Sequence, residues 1–270
     1  MYATTQNELT LYRFDNMSRW AGVDTFVTTR TTAIGTDFNL GLYAGGDAST
    51  VEANLASLCK ALDLPRTHLI FPQQTHGKEV GIVDKELLSK PRHEQQAALY
   101  GKDALITNMP GIAIAIATAD CVPVLLYDPE KHAIAAIHAG WRGTVAKIVS
   151  ETVVAMARCY GTNPARLYAA IAPCIGVESY EVGDDVAARF IEAGFDDTSI
   201  VVRNAVTGKA HIDLAAANTE LLLQCGVELS HIEVCGIDTY TACDTFYSVR
   251  ALGAATGRFL TGIIMRRSGV

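Results

Sequence analysis

Three short apolar runs, separated only by turn-like residues, dominate the middle of the chain: GIAIAIAT (111–118), VPVLLYD (122–128) and HAIAAIHA (132–139). Their lengths fit buried strands better than helices, and Gly, Pro and Asp punctuate them. Strands buried on both faces need a large core around them. The supply is adequate: 49% of the 270 residues are apolar, enough for one large domain or two small ones.

Elements of both kinds surround this centre. Residues 7–14 and 23–29 alternate apolar and polar as half-buried strands do. The segment from Asp47 to Leu62 opens with DAST, which supplies an N-cap, and carries Val51, Leu55, Leu58 and Leu62 at helical spacing. Short β-rich runs lie at 68–71, 79–83 and 103–107, and the polar stretch from Lys85 to Lys102 reads as an exposed loop or short helix. Beyond the centre the pattern predicts a helix at about 144–160, with Thr144 as cap and Gly161 as stop. A strand at 166–171, helices at 183–193 and 213–225, and strands at 231–235, 245–249 and 258–265 follow. This order is neither a clean βαβα alternation nor all-β. The fold class is α+β, a large antiparallel or mixed sheet system with helices packed outside. No repeat, low-complexity tract or linker interrupts it, so residues 1–270 read as one domain.

A formal charge of −7 argues against general affinity for nucleic acid or an anionic membrane, while leaving room for a local cationic pocket. The start MYATTQNELTLYRF has no basic region followed by an apolar one, and no apolar run approaches the ~20 residues that span a bilayer. The expectation is a soluble, cytoplasmic protein. Seven dispersed cysteines with no CxxC pair resemble neither a disulfide framework nor a zinc knuckle.

Three segments place polar residues at the ends of apolar strands: PQQTHG (72–77), TADCVP (118–123) and IHAGWRG (137–143). Each carries one borderline or soft ligand, His76, Cys121 or His138, where the backbone turns sharply. Imidazole and thiolate together suit zinc, and three protein ligands leave a fourth position open, as catalytic zinc sites do. Spacings of 45 and 17 positions match no compact metal motif, however. Pattern alone leaves convergence open: a lone histidine after a buried strand is ordinarily a hydrogen-bonded structural residue, and a lone cysteine is ordinarily core.

QQTHG, DALITNMPGIAIAIATADCVPVLLYDP and AAIHAGWRGTVAKIV closely resemble the YfiH-like family, as do APCIGVESYEVGDDV and DTFYSVRALGAATGRF downstream. That family has been described as laccase-domain or multicopper polyphenol oxidase and as purine nucleoside phosphorylase, with a bacterial branch called peptidoglycan editing factor. The resemblance runs from about residue 26 to 266. It implies an α/β/β/α sandwich similar to the catalytic domain of the cytotoxic necrotizing factor toxins. It also implies a zinc ion held by His76, Cys121 and His138. Two departures concern the expected border of the pocket: TTRTTAIGTDFNLG is short and lacks a Gly-Gly pair, and the family's Arg-Arg is Arg250-Ala251 here.

The activity implied is phosphorolysis of purine nucleosides, which needs a positioned anionic nucleophile and a base relieved of charge. Nucleoside and phosphate are then the partners. Arg142, in a Gly-Trp-Arg-Gly turn before a helix, is the first cationic candidate, with Arg250 and Arg30 behind it. Asn39 and Gln73 are candidates for hydrogen bonds to ribose or base; a structural role is the alternative for each of these residues. Adenosine deamination on the same zinc would want a carboxylate, for which Asp120 and Glu181 are available. Asp120 equally suits orienting a loop or a ligand histidine. Cys174 is a possible second pocket thiol, against a packed structural role. A copper-dependent polyphenol oxidase needs more histidines than the seven present and linked His-x-His pairs, of which there are none, although Cu2+ could occupy the same site. A hydrolase editing a peptidoglycan precursor, with the metal water or Cys121 as nucleophile, and a non-enzymatic binding module are the remaining alternatives.

Overall fold

The computed structural model describes residues 1–42, 46–196 and 198–266. The three central runs are strands, Ile112–Thr118, Val122–Asp128 and Ala133–Ala139, but they divide between two sheets. The second and third pair antiparallel over their whole length, from Val122 opposite Ala139 to Asp128 opposite Ala133. The first pairs instead with Phe259–Met265, Ile112 opposite Met265 and Thr118 opposite Phe259. One six-stranded sheet thus runs Tyr2–Gln6, Leu9–Arg13, Val23–Thr28, Phe259–Met265, Ile112–Thr118, Leu69–Ile70. The other runs Ile232–Val234, Tyr168–Ile171, Val122–Asp128, Ala133–Ala139, Ala104–Thr107, Val80–Ile82.

Side-chain alternation explains why these strands are apolar on both parities. Ile112, Ile114 and Ile116 of the first sheet meet Leu125, Tyr127, Ile134 and Ala136 of the second in one core between the sheets. The opposite parity of the first sheet, Ala113 and Ala115, packs with Val51, Leu55 and Leu58 of the helix Ala48–Ala61. The opposite parity of the second, Val124, Leu126, Ala135 and Ile137, packs with Val149, Val153 and Met156 of Ile148–Tyr160 and Leu221 of Leu214–Gln224. Helix, sheet, sheet and helix therefore lie in four layers, and the fold is a mixed α/β one. Gly262 faces the Phe26 ring so closely that a Cβ there would lie 2.3 Å from Phe Cζ. Gly262→Ala should cost about 1–3 kcal/mol by overpacking and lower the Tm by several degrees in a thermal melt. An unchanged Tm would show that this contact yields freely.

Several boundaries follow the expected chemistry. The Asp47 carboxylate accepts from Thr50 N at 2.8 Å, capping the first long helix, and Gly161 stops Ile148–Tyr160 at φ 70°. Others differ. The helix expected at 144–160 is two, Trp141–Val145 and Ile148–Tyr160, broken by Lys147 at φ 60°. Thr144 is consequently inside the first piece rather than a cap. Residues 245–249 form no strand: Thr245 N and Phe246 N both bond back to Ala242 O, closing a turn. Ser248 then caps the short helix Val249–Leu252. The third sheet, Glu181–Val182, Ala210–Ile212 and Val201–Arg203, and the first strand lie in stretches with no expected strand. No helix among the described residues is long and apolar enough to cross a membrane.

Candidate metal centre

Strand register brings two of the three candidate ligands together. His138 lies opposite Pro123, and Cys121, two residues before Pro123, shares its face. His76 arrives separately, on the loop after Leu69–Ile70, in the left-handed region at φ 62°. A buried carboxylate fixes that loop. Asp103, fully buried at the head of the strand Ala104–Thr107, accepts from the amides of Thr75 (3.2 Å), His76 (2.9 Å) and Gly77 (2.7 Å). The same carboxylate lies 2.7 Å from His138 Nδ1. Asp103 thus holds the His76 loop and accepts the hydrogen bond of His138 Nδ1–H, which turns Nε2 toward the cluster.

The three candidate donor atoms lie within 4.8 Å of one another. Donors around a tetrahedral zinc stand about 3.5 Å apart, so small side-chain rotations close the set. The wall beside them is Gly140, where a Cβ would meet Cys121 Sγ at 3.0 Å, His76 Cδ2 at 3.2 Å and His138 Nε2 at 3.6 Å. His138 is buried, Cys121 half-buried and His76 exposed, so the group is closed on one side and open on the other.

Electrostatics favour the thiolate of the cluster but also hold a proton on His138. Burial alone would push the Cys121 thiol up, but His138 and then His76, by charge and hydrogen bond, bring it down to about 6. Burial alone would lower His138, yet Cys121 and Asp103 raise it to about 9. Between those values the metal-free pair is thiolate and imidazolium. A metal needs the thiolate and a neutral Nε2, so one proton leaves with each ion bound. Apparent affinity should climb about tenfold per pH unit between pH 6 and 9. A chelator competition across that range checks it, and a flat profile would contradict the pair's charge state.

The donors form part of the wall of a cavity of about 580 Å3, shared with Phe71, Gln74, Asp120, Tyr180, Arg250 and Arg258. Asp120, at φ 96°, accepts from Thr239 Oγ1 and Arg250 N, both at 2.8 Å. It fixes the first turn of the Val249–Leu252 helix, while Asp103 orients the histidine. Arg250 lies over the Tyr180 ring, 5.4 Å from its centroid, and donates to Ser179 O and Glu181 O.

The remaining candidates sit outside this lining. Arg142 is exposed and lies over Trp141, 4.3 Å from the ring centroid. Arg30 donates to Cys243 O, and Glu181 pairs with Lys209 at 2.7 Å. Cys174 is 6% exposed in the core, and burial raises its pKa well above the thiol range. Gln73 is not part of the lining; its neighbour Gln74 is, its amide bonded to Ala117 N and O. Asn39 Oδ1 accepts from Gly41 N and Arg258 N, so it shapes the rim. Sequence reasoning passed over Asp103, Gln74, Tyr180 and Arg258. A charged residue opening the otherwise apolar DALIT run was the available signal for Asp103. A smaller second cavity, about 370 Å3 near Arg66, His68 and Arg92, shares Leu42 and Phe71 with the first.

The model of the family described as multi-copper polyphenol oxidoreductase laccase matches residues 24–266. The chain belongs to this family. Among its relatives, a purine nucleoside phosphorylase of Bacteroides thetaiotaomicron is 40% identical over 94% of this chain and 96% of its own length. Adenosine deaminase RL5, from an unknown prokaryotic organism, is also 40% identical, over 94% of this chain and 98% of its own. The crystal structure of hypothetical protein YfiH of Bacillus licheniformis superposes with a TM-score of 0.84 at 27% identity, covering 96% of this chain and 97% of that one. Family membership thus matches the YfiH-like resemblance of the sequence motifs, and the cavity lies within the matched span.

Proposed function

We propose that this family member is a zinc-dependent purine nucleoside phosphorylase, with adenosine deamination as a second activity of the same site. The observation that carries the reading is the half-open His76–Cys121–His138 group in an aromatic and cationic cavity, in a chain 40% identical to proteins named for those two activities. The donor set fits zinc: mixed nitrogen and sulfur, a thiol already lowered to about 6, and a histidine whose second nitrogen is tied to a carboxylate. When bound, zinc supplies a Lewis acid beside the reacting atoms.

The chain's own residues supply the rest. Phe71 and Tyr180 offer flat walls to a purine. Arg250, fastened by two carbonyls, holds Tyr180 in place. Asp120 keeps Arg250's backbone at the rim and is the carboxylate within the cavity for proton transfer in deamination. The same reading takes residues 1–270 as one cytoplasmic domain, its layers akin to the catalytic domain of cytotoxic necrotizing factors.

The family description speaks of copper oxidation, and copper suits the same three ligands. Against a multicopper mechanism stand the seven histidines of the chain and the single His/Cys/Asp/Glu ligand group among the described residues. Editing of a peptidoglycan precursor has no specific observation in its favour. The test is to purify the protein with its native metal, measure metal content, and assay inosine and adenosine with and without phosphate. Phosphate-dependent release of the free base supports the reading. No release from fully zinc-loaded protein sinks it, and stoichiometric copper with phenol turnover would revive the oxidase.

A further inference from the structure

Arg258 is a half-buried guanidinium in the wall of the metal cavity. Burial works against its charge, and the nearest countercharges are those of Cys121 and Asp120. No carboxylate pairs with it among the described residues. Its Nη1 donates to Thr256 O at 2.6 Å and Gly257 O at 2.9 Å, while Nε and Nη2 have no protein partner there. A partly desolvated cation with spare, coplanar donors is the arrangement that binds an oxyanion.

The other arginines of the region are differently engaged. Arg250 spends Nη1 and Nη2 on two carbonyls. Arg142 and Arg30 do not line the cavity. Arg258 alone of the four combines a place in the wall with free donors. Its backbone is also pinned from both sides: its N–H donates to Asn39 Oδ1 at 2.9 Å and its carbonyl accepts from Leu40 N at 3.0 Å. Next to it, Gly257 runs so close to Tyr247 and Asn39 that a Cβ would lie within 2.8 Å of either. The guanidinium is therefore presented by a clamped segment, and little ordering cost remains for a ligand.

We propose that Arg258 is the anion-binding residue of the cavity and holds the inorganic phosphate consumed in phosphorolysis, with Asn39 positioning it. The identity of the anion rests on the phosphorylase reading; the presence of an oxyanion subsite does not.

The experiment measures binding of inorganic phosphate to the zinc-loaded protein by calorimetry without nucleoside, then KM for phosphate and for inosine separately. In Arg258→Gln the phosphate Kd and KM should both rise at least about tenfold, with inosine KM and zinc content unchanged. Arg258→Lys should recover part of the loss, since charge returns without the fork. Phosphate binding unchanged in both variants, or a rise confined to inosine KM, overturns the proposal. If Arg258→Gln fails to fold, as loss of zinc content would reveal, Arg258→Lys decides: a phosphate KM equal to wild type overturns it. Arg258-dependent phosphate binding without nucleoside turnover would uphold this subsite while removing the phosphorylase reading. Phosphate-dependent turnover insensitive to Arg258 would do the reverse.

Discussion

Cys121→Ala should empty the metal centre: zinc content falls from about one ion per chain to under about a tenth, and base release falls by about a thousandfold or more. The reason is geometric. His138 and Cys121 share one face of adjacent strands, whereas His76 reaches them from a loop. Removing the thiolate leaves two imidazoles with ring centroids 4.8 Å apart, a pair with far weaker hold on zinc. It also removes the negative charge that raises His138, so the remaining site keeps less proton-coupled character. The fold should survive, because Cys121 is half-buried at a strand end. Metal analysis and a thermal melt of the same sample separate the two effects. Full zinc occupancy in Cys121→Ala would remove Cys121 from the ligand set.

Asp103→Ala should be the most damaging change that touches no ligand position. Asp103 is fully buried and satisfies three successive amides and the His138 ring together. Burial alone would raise its pKa; the His138 hydrogen bond and charge, then the loop amides, hold it below the ordinary carboxylate value. A depressed carboxylate contributes stability above its unfolded pKa, and that contribution is lost as pH falls through the folded one. Deleting it should cost about 3–5 kcal/mol and weaken zinc about 10–100-fold. Asp103→Asn keeps the shape and one acceptor oxygen, so it should retain more stability than alanine while still weakening zinc. Denaturant melts of metal-free protein and chelator competition on the loaded protein read the two losses separately. Wild-type values for Asp103→Ala in both would show that the loop and His138 are held by something else.

Much of this was legible in the sequence because the chemistry was local. The runs at 112–118, 122–128 and 133–139 are apolar on both parities, and at that length the pattern fits strands covered on both faces better than helices. Asp47 and Gly161 act through caps a few residues long. What the sequence concealed depended on long-range pairing. Nothing in TFYSV at 245–249 reveals that the amides of Thr245 and Phe246 turn back to Ala242 instead of joining a sheet.

The candidate site divides along the same line. His76, Cys121 and His138 stood out as polar interruptions at strand ends, and the structure brings their donor atoms together. Arg142 was attractive because it precedes a helix, but its guanidinium settles on the neighbouring Trp141 ring. Gln73 and Gln74 are adjacent, and only the path of the backbone decides that Gln74 faces the cavity. Arg258 lies in the DTFYSVRALGAATGRF block, but nothing local in that block points its side chain at the cavity. Its place depends on Asn39, 219 positions away in the chain.

The most direct test of the central claim follows both products of a single turnover chemistry. Zinc-loaded protein is incubated with inosine and inorganic phosphate, and phosphorus NMR is read beside chromatographic quantification of the base. Phosphorolysis predicts ribose 1-phosphate and hypoxanthine in equal amounts, both absent without phosphate. Hypoxanthine with free ribose, or no hypoxanthine from protein carrying its full zinc, would contradict it.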